Sequence, residues 1–275
     1  MNIVVVGGGA GGLPLVTKLG RRLGKRGKAN ITLVDASASH IWKPRFHEVA
    51  TGAIDSDLDA VDYRAHAHQN YYSFSKGRMS GLDRENKEII LEPATGPGGK
   101  EILPERRIPY DYLVITVGSL GNDFNTLGVR EQCLFLDTRE QADRFHERFL
   151  NHCLSADFYR DTVSVAIVGG GATGVELAAE IHHAVALLKL YGHKELDRSR
   201  LQVHVIEAGP RLLPALSEQI ASAAQAELEN MGVKVHTSTM VKQADEHGFI
   251  TGDDERIDAA LLVWAAGIKA PDVLK

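Results

Sequence analysis

The sequence predicts an α/β chain made of two Rossmann-like dinucleotide-binding units, each with a parallel sheet and a small β insertion. Three observations carry this. The apolar run 3–6 ends in Gly7-Gly8-Gly9-Ala10-Gly11-Gly12, and helically spaced apolar residues (Leu13, Leu15, Val16, Leu19, Leu23) follow it. The run 163–168 ends in Gly169-Gly170-Gly171-Ala172-Thr173-Gly174, and eight of the ten positions from 165 to 174 match residues 3–12 in kind. Each repeat closes on a second apolar run that ends in glycine, at Gly118 and again at Gly267.

In the first repeat, Gly7, Gly9 and Gly12 hold the dinucleotide spacing. Gly7 permits the turn, Gly9 lets a pyrophosphate approach the backbone, and Gly12 lets helix and strand pack closely. Gly8, Ala10 and Gly11 complete the turn, whose free N–H groups and helix dipole favour an anion. Asp35 closes the strand 31–34, 23 residues past Gly12, and can accept hydrogen bonds from a ribose. Residues 36–54 read as a structured loop with a short helix, and 57–69 as helical. Two strands, 71–79 and 88–91, flank a turn at 83–87, and 95–99 is a loop. The run 110–119 reads as a central buried strand.

A helix over 137–153 is expected to bridge two lobes. The second glycine turn then leads into a long helix with Val175, Ala178, Ile181, Val185 and Leu188 on its apolar side. The strand 203–206 ends at Glu207, the counterpart of Asp35. Its distance of 33 residues from Gly174 is long, and the polar stretch 192–200 absorbs the excess. A helix over 217–231 stops at Gly232, short strands run through 233–258, and 259–267 parallels the strand that ends at Gly118.

Two nucleotide sites suggest two redox rings, FAD in the first lobe and a nicotinamide in the second. Glu207 favours NADH over NADPH, because a carboxylate bonds a 2′-hydroxyl and repels a 2′-phosphate. Arg211 close by can soften that preference.

Composition excludes several other classes. The chain has 275 residues, 44% hydrophobic and 24% charged, as in an ordinary globular protein. A net charge of −5 argues against a nucleic-acid partner. Cys133 and Cys153 form no Cys-x-x-Cys pair, so a redox dithiol is not expected and a reducing compartment fits. No apolar run approaches the ~18 residues of a membrane span. The opening Met1-Asn2-Ile3-Val4 leads straight into a strand and does not read as a signal peptide. His66-x-His68 and His182-His183 lack the supporting ligands of a metal site. There is no Gly-x-Ser-x-Gly elbow of a hydrolase. The basic run 21–28 reads as a solvated helix end.

The segments His40-Ile41-Trp42-Lys43-Pro44 with His47-Glu48-Val49-Ala50-Thr51-Gly52, Gly169 through Glu180, and Trp264-Ala265-Ala266-Gly267-Ile268-Lys269-Ala270-Pro271 make the chain resemble the type II, non-proton-pumping NADH:quinone oxidoreductases. These belong to the FAD-dependent pyridine nucleotide oxidoreductase superfamily, whose fold is glutathione-reductase-like. The resemblance implies an FAD-binding domain over 1–120, an NADH-binding domain over 121–268, and the start of a return to the FAD domain at 269–275. It implies electron transfer from NADH through tightly bound FAD to a membrane quinone, in a respiratory enzyme peripheral to the cytoplasmic face of the inner (plasma) membrane. A homodimer is compatible with it. The family also has a later FAD-contacting Gly-Asp segment and a C-terminal membrane-contacting region, which have no counterpart in these residues, so the chain is expected to be a C-terminally truncated form.

By position, the resemblance gives Gly7, Gly9 and Gly12 to the FAD pyrophosphate, Asp35 to its ribose, the main chain near Met79 to the adenine, and Gly118 to a further FAD contact. Thr116-Val117-Gly118 stands where an Ala-Thr-Gly pattern is commoner. Lys43 and Pro44 fall where the disulfide reductases carry their redox cysteines, so thiol chemistry there is excluded and Lys43 instead offsets charge on reduced flavin. Gly169, Gly171 and Gly174 take the NADH pyrophosphate, and Gly267 admits the nicotinamide. Glu176 and Glu180, four apart on one helix face, position the nicotinamide or deliver protons to quinone. Two alternatives stay open: an NADH-dependent reductase of a ferredoxin-like protein, and a nucleotide-binding fragment without turnover. A sulfide:quinone oxidoreductase lacks its cysteines here.

Overall fold

In the computed structural model, which describes residues 1–196 and 198–274, the apolar runs become parallel strands and the chain divides into two compact units. One comprises Met1–Trp42, Asp57–Ser119 and Ala270–Lys275; the other comprises Lys43–Ser56 and Leu120–Lys269.

The first unit has a four-stranded parallel sheet in the order Tyr112–Ile115, Asn2–Val6, Asn30–Asp35, Ser73–Lys76. Successive residues of its leading strand face opposite sides, so an unbroken apolar run serves two cores. Ile3 and Val5 pack with Val16, Tyr63, Ala67 and Tyr72 on the helical side. Val4 and Val6 pack with Met79, Ile89 and Leu91 on the other. There the insertion forms a three-stranded antiparallel sheet in the order Arg106–Pro109, Glu88–Leu91, Met79–Asp83.

The second unit repeats the plan: Lys234–His236, Leu201–Ile206, Val163–Val168 and Leu261–Trp264 form a parallel sheet in that order. Its insertion, Val241–Asp245, Gly248–Thr251 and Arg256–Asp258, is antiparallel and covers Ala166, Val168, Ile206, Leu262 and Trp264. The helix Arg139–Tyr159 opens on a capping box, Thr138 with Gln141. The short helix Phe46–Thr51 packs against it and against Ala172–Leu190.

Several expectations change. The helix expected over 57–69 starts only at Tyr63, where the Asp62 carboxylate caps Arg64 and Ala65 N–H at 2.9 Å. Before it, Val61–Asp62 pairs antiparallel with Ser39–His40. The run 71–79 breaks near Gly77, and its halves join different sheets. The strand expected to be central and buried is Tyr112–Ile115, at the sheet edge, with Tyr112 61% exposed; among the described residues no strand pairs beyond it. The helix expected to bridge two lobes extends to Tyr159 and lies wholly within the second unit. In the 192–200 stretch, Asp197 lies outside the described residues.

Candidate nucleotide sites

Each unit carries one glycine turn, and the two are built alike. Gly7 N–H bonds the Val34 carbonyl at 2.8 Å, as Gly169 N–H bonds Ile206. Gly7 and Gly169 have φ of +99° and +116°, which a side chain strains to adopt. A Cβ on Gly7 would come within 2.4 Å of the Thr116 carbonyl oxygen, and one on Gly169 within 2.7 Å of the Ala265 carbonyl. A Cβ on Gly12 would lie 1.8 Å from the Gly7 carbonyl oxygen, and one on Gly174 2.0 Å from that of Gly169. These glycines keep strand, turn and helix in contact.

Gly9 and Gly171 differ from the others, for a Cβ on either would meet nothing within 4 Å. Neither following helix has a side-chain cap or an acidic residue in its first turn. Ala10 and Gly11 are exposed beside Gly9. Orphan N–H groups, an open glycine and an uncompensated dipole fit a pyrophosphate.

An acid braces each turn. Asp35 accepts Gly8 N–H at 2.6 Å and Ser37 N–H at 2.8 Å. Glu207 accepts Gly170 N–H and Gly209 N–H, both at 2.7 Å. Each acceptor-only carboxylate is thus fixed at the end of its strand and keeps lone pairs for a ribose. Arg211 donates to the carbonyls of Leu216 and Pro214, both at 3.0 Å, so its guanidinium is committed to its own loop.

Two supports have no sequence signal strong enough to find them. The Tyr63 hydroxyl donates to the Gly8 carbonyl at 2.8 Å, and burial pushes the phenol well above its ordinary range. The Thr116 hydroxyl reaches the Gly7 carbonyl at 2.7 Å. Tyr63 is 55 residues from Gly8, and only the fold joins them.

The remaining candidate residues divide between the units. Met79 is buried where the first unit's insertion begins. Gly118 has φ +72° and open space at its Cβ position. Gly267, at φ +63°, has the Phe124 ring where a Cβ would sit, 2.4 Å away. Lys43 and Pro44 form a short 3₁₀ turn in the second unit. Lys43 Nζ bonds Asp137 at 2.8 Å, and Asp137 also accepts Gly121 N–H at 2.7 Å. On the helix Ala172–Leu190, Glu176 is half-exposed, with His47 Nδ1 3.4 Å from its carboxylate. Glu180 lies one turn further along and lines a small pocket of about 130 Å³ with Thr51, Gly52, His146 and His183. Cys133 and Cys153 are free and buried, and burial pushes both thiols up to about 12, which leaves them inert.

Known proteins share this arrangement. A type II NADH:quinone oxidoreductase of Haemophilus influenzae is 46% identical over 99% of the chain. One from Staphylococcus aureus is 25% identical over 100% of it. The chain spans 65% and 66% of the lengths of these two relatives. The structure of NDH2 from Plasmodium falciparum in complex with NADH superposes with a TM-score of 0.84 at 22% identity, covering 99% of this chain and 56% of that one, which establishes the fold. The family match runs over residues 1–275 and takes in both glycine turns, so the chain belongs to the pyridine nucleotide-disulphide oxidoreductase family.

Proposed function

We propose that the chain is the nucleotide-binding part of a type II NADH:quinone oxidoreductase, with FAD on the first glycine turn and NADH on the second. The observation that carries this is the doubled cradle: an open glycine, an uncapped helix start and a braced acid in each unit. The 46% identity to the Haemophilus influenzae enzyme favours quinone as the electron acceptor. We assign 1–120 to FAD and 121–268 to NADH, with 269–275 beginning a return to the first.

A flavin held beside a nicotinamide supplies two-electron redox chemistry that amino-acid side chains lack. The protein binds and orients. Gly7, Gly9 and Gly12 would receive the FAD pyrophosphate with the N–H groups around Gly8, Ala10 and Gly11, and Asp35 the ribose. Met79 and Gly118 would contribute main-chain contacts. Gly169, Gly171 and Gly174 would receive the NADH pyrophosphate. Glu207 would accept from the 2′-hydroxyl and repel a 2′-phosphate, and the commitment of Arg211 to Leu216 and Pro214 supports NADH over NADPH. Phe124 would have to yield for a ring to approach Gly267. Lys43, ion-paired with Asp137, would offset negative charge on the acceptor ring, and Pro44 would border it. Glu176 and Glu180 would orient the nicotinamide and hold protons for the quinone.

Quinones reside in bilayers, so we infer peripheral membrane contact at the cytoplasmic face. Among the described residues no helix is long and apolar enough to cross a membrane. The test is a titration of the purified holoprotein. A flavin band near ~450 nm that bleaches with NADH and recovers with a quinone analogue, faster than with a ferredoxin, is expected. A colourless protein, or recovery with ferredoxin alone, overturns the reading.

A further inference from the structure

We propose that His47 is the positioning and proton-relay residue behind Glu176, an inference that rests on the proposed quinone reductase activity. His47 lies on the short helix Phe46–Thr51, with its side chain only 13% exposed. Its buried Nδ1 makes no hydrogen bond, although burying a polar nitrogen without a partner costs free energy. That nitrogen sits 3.4 Å from a carboxylate oxygen of Glu176, whose side chain is 48% exposed. The opposite ring nitrogen, Nε2, is 4.0 Å from Glu48. Arg45 grips Glu48 with two bonds, of 3.0 and 2.6 Å, and holds its carboxyl below the usual range.

The ring therefore stands between two carboxylates of different character. Glu48 is pinned by an arginine and stays ionised. Glu176 is unpinned and faces solvent, on the first turns of the helix that follows the second glycine turn. The elements packed around His47 carry further titratable and charged groups, among them Asp143 and His146 on Arg139–Tyr159, Glu180 and His183 on Ala172–Leu190, and the Lys43–Asp137 pair. Among the described residues, the carboxylates that approach the ring nitrogens within 4.0 Å are those of Glu176 and Glu48.

A quinone reduced to the quinol gains two electrons and two protons; the hydride of NADH carries both electrons and one proton, so one further proton must come from solution. Glu176 supplies that proton. The Nδ1–H of His47 then restores the Glu176 proton, and Nε2 takes a replacement from water on the Glu48 side. Bonds and charges balance, because the imidazole gives one proton and gains one.

The test compares the wild-type holoprotein with H47N, E176Q and the double variant. Asparagine can donate a hydrogen bond from the Nδ1 position and cannot relay a proton. Two measurements are needed: flavin bleaching by NADH, and steady-state quinone reduction across pH. H47N should bleach at a rate within twofold of wild type, lose at least tenfold in quinone turnover, and show an altered pH profile. The double variant should be no slower than E176Q, because both residues serve one path. Added imidazole should restore turnover to H47A in proportion to its free-base concentration. Normal quinone turnover in H47N with normal bleaching overturns the relay, as does a double variant whose losses multiply. Absence of bleaching in the wild type overturns the proposed function instead. If H47N fails to fold, E176Q and the H47A rescue still decide.

Discussion

Behind the first glycine turn stand two hydroxyls, Tyr63 and Thr116; behind the second stand the Leu212 side chain and Ala265. Thr116 and Ala265 hold equivalent places, each donating its N–H to the strand that leads into the turn, at 2.7 Å. The backbone of the turn is nearly copied, while its support is not. Backbone geometry at Gly7 and Gly169 admits only glycine, whereas the space behind Gly8 and Gly170 can be filled by anything of the right shape. The edge strands diverge too. Leu261–Trp264 is fully buried, with Leu134 bonded along its outer side; Tyr112–Ile115 is part-exposed.

The largest effect should come from forcing a side chain between strand and helix. Gly12→Ala and Gly174→Ala would each press a methyl against a carbonyl oxygen that has no room to retreat. Each should destabilise its own unit by roughly 3 kcal/mol or more. Gly9→Ala and Gly171→Ala meet open space and should leave melting nearly unchanged while weakening nucleotide binding. Differential scanning fluorimetry with flavin and NADH titrations separates the two classes. If Gly9→Ala melts as early as Gly12→Ala, the shared backbone logic fails.

The bracing acids come next. Glu207→Gln leaves one acceptor oxygen for two N–H groups and turns an amide N–H₂ toward one of them. Losing that match should cost about 1–3 kcal/mol. It should also raise NADPH use relative to NADH by roughly tenfold, about 1.4 kcal/mol. Asp35→Asn should release flavin without changing the NADPH to NADH ratio. Equal nicotinamide preference in wild type and Glu207→Gln would refute the specificity role.

A third contrast is acid sensitivity. In the second unit, His204 and His236 stack nearly parallel, with ring nitrogens 3.0 Å apart, and His204 is only 8% exposed. Burial, then the neighbouring His236 and Lys234, pushes His204 down to about 4. Unfolding lets this ring take up a proton that the native state refuses. Its contribution is therefore complete above about pH 6.5 and is lost as pH falls toward about 4, on the order of 2 kcal/mol. Fluorescence of the buried Trp264 should report earlier acid unfolding in wild type than in His204→Leu. Identical acid midpoints would contradict this.

Sequence reasoning reached what is local and periodic. The leading strands, both glycine turns and both acids were legible because backbone demands repeat at fixed spacing. Glu207 was found despite its 33-residue distance from Gly174 because a strand-end acid is recognisable on its own. Long-range packing was not legible. Nothing in 43–56 announces that it groups with the second unit, and the break at Gly77 is visible only once two sheets compete for one run. The exposure of Tyr112–Ile115 depends on which strand lies alongside it, which its own apolar sequence does not encode. Tyr63 and His47 matter through neighbours far along the chain.

The smallest predicted effect isolates the difference in support. Tyr63→Phe removes one hydroxyl and keeps the ring that fills the space behind Gly8, where a Cβ would come within 2.3 Å of the phenol oxygen. The Gly8 carbonyl then loses its 2.8 Å donor in a buried place. A neutral hydrogen bond of this kind contributes about 0.5–1.5 kcal/mol, so the first unit should melt slightly earlier and hold flavin a few-fold more weakly. The second turn has an apolar group in the corresponding position, so Leu212→Met, which conserves volume, should change NADH affinity less than twofold. Measured together by flavin and NADH titration, the pair asks whether a polar brace does more than fill space. If Tyr63→Phe binds flavin as wild type does, ring packing alone accounts for this brace, and the Tyr63 hydroxyl is no different in kind from the leucine behind the second turn.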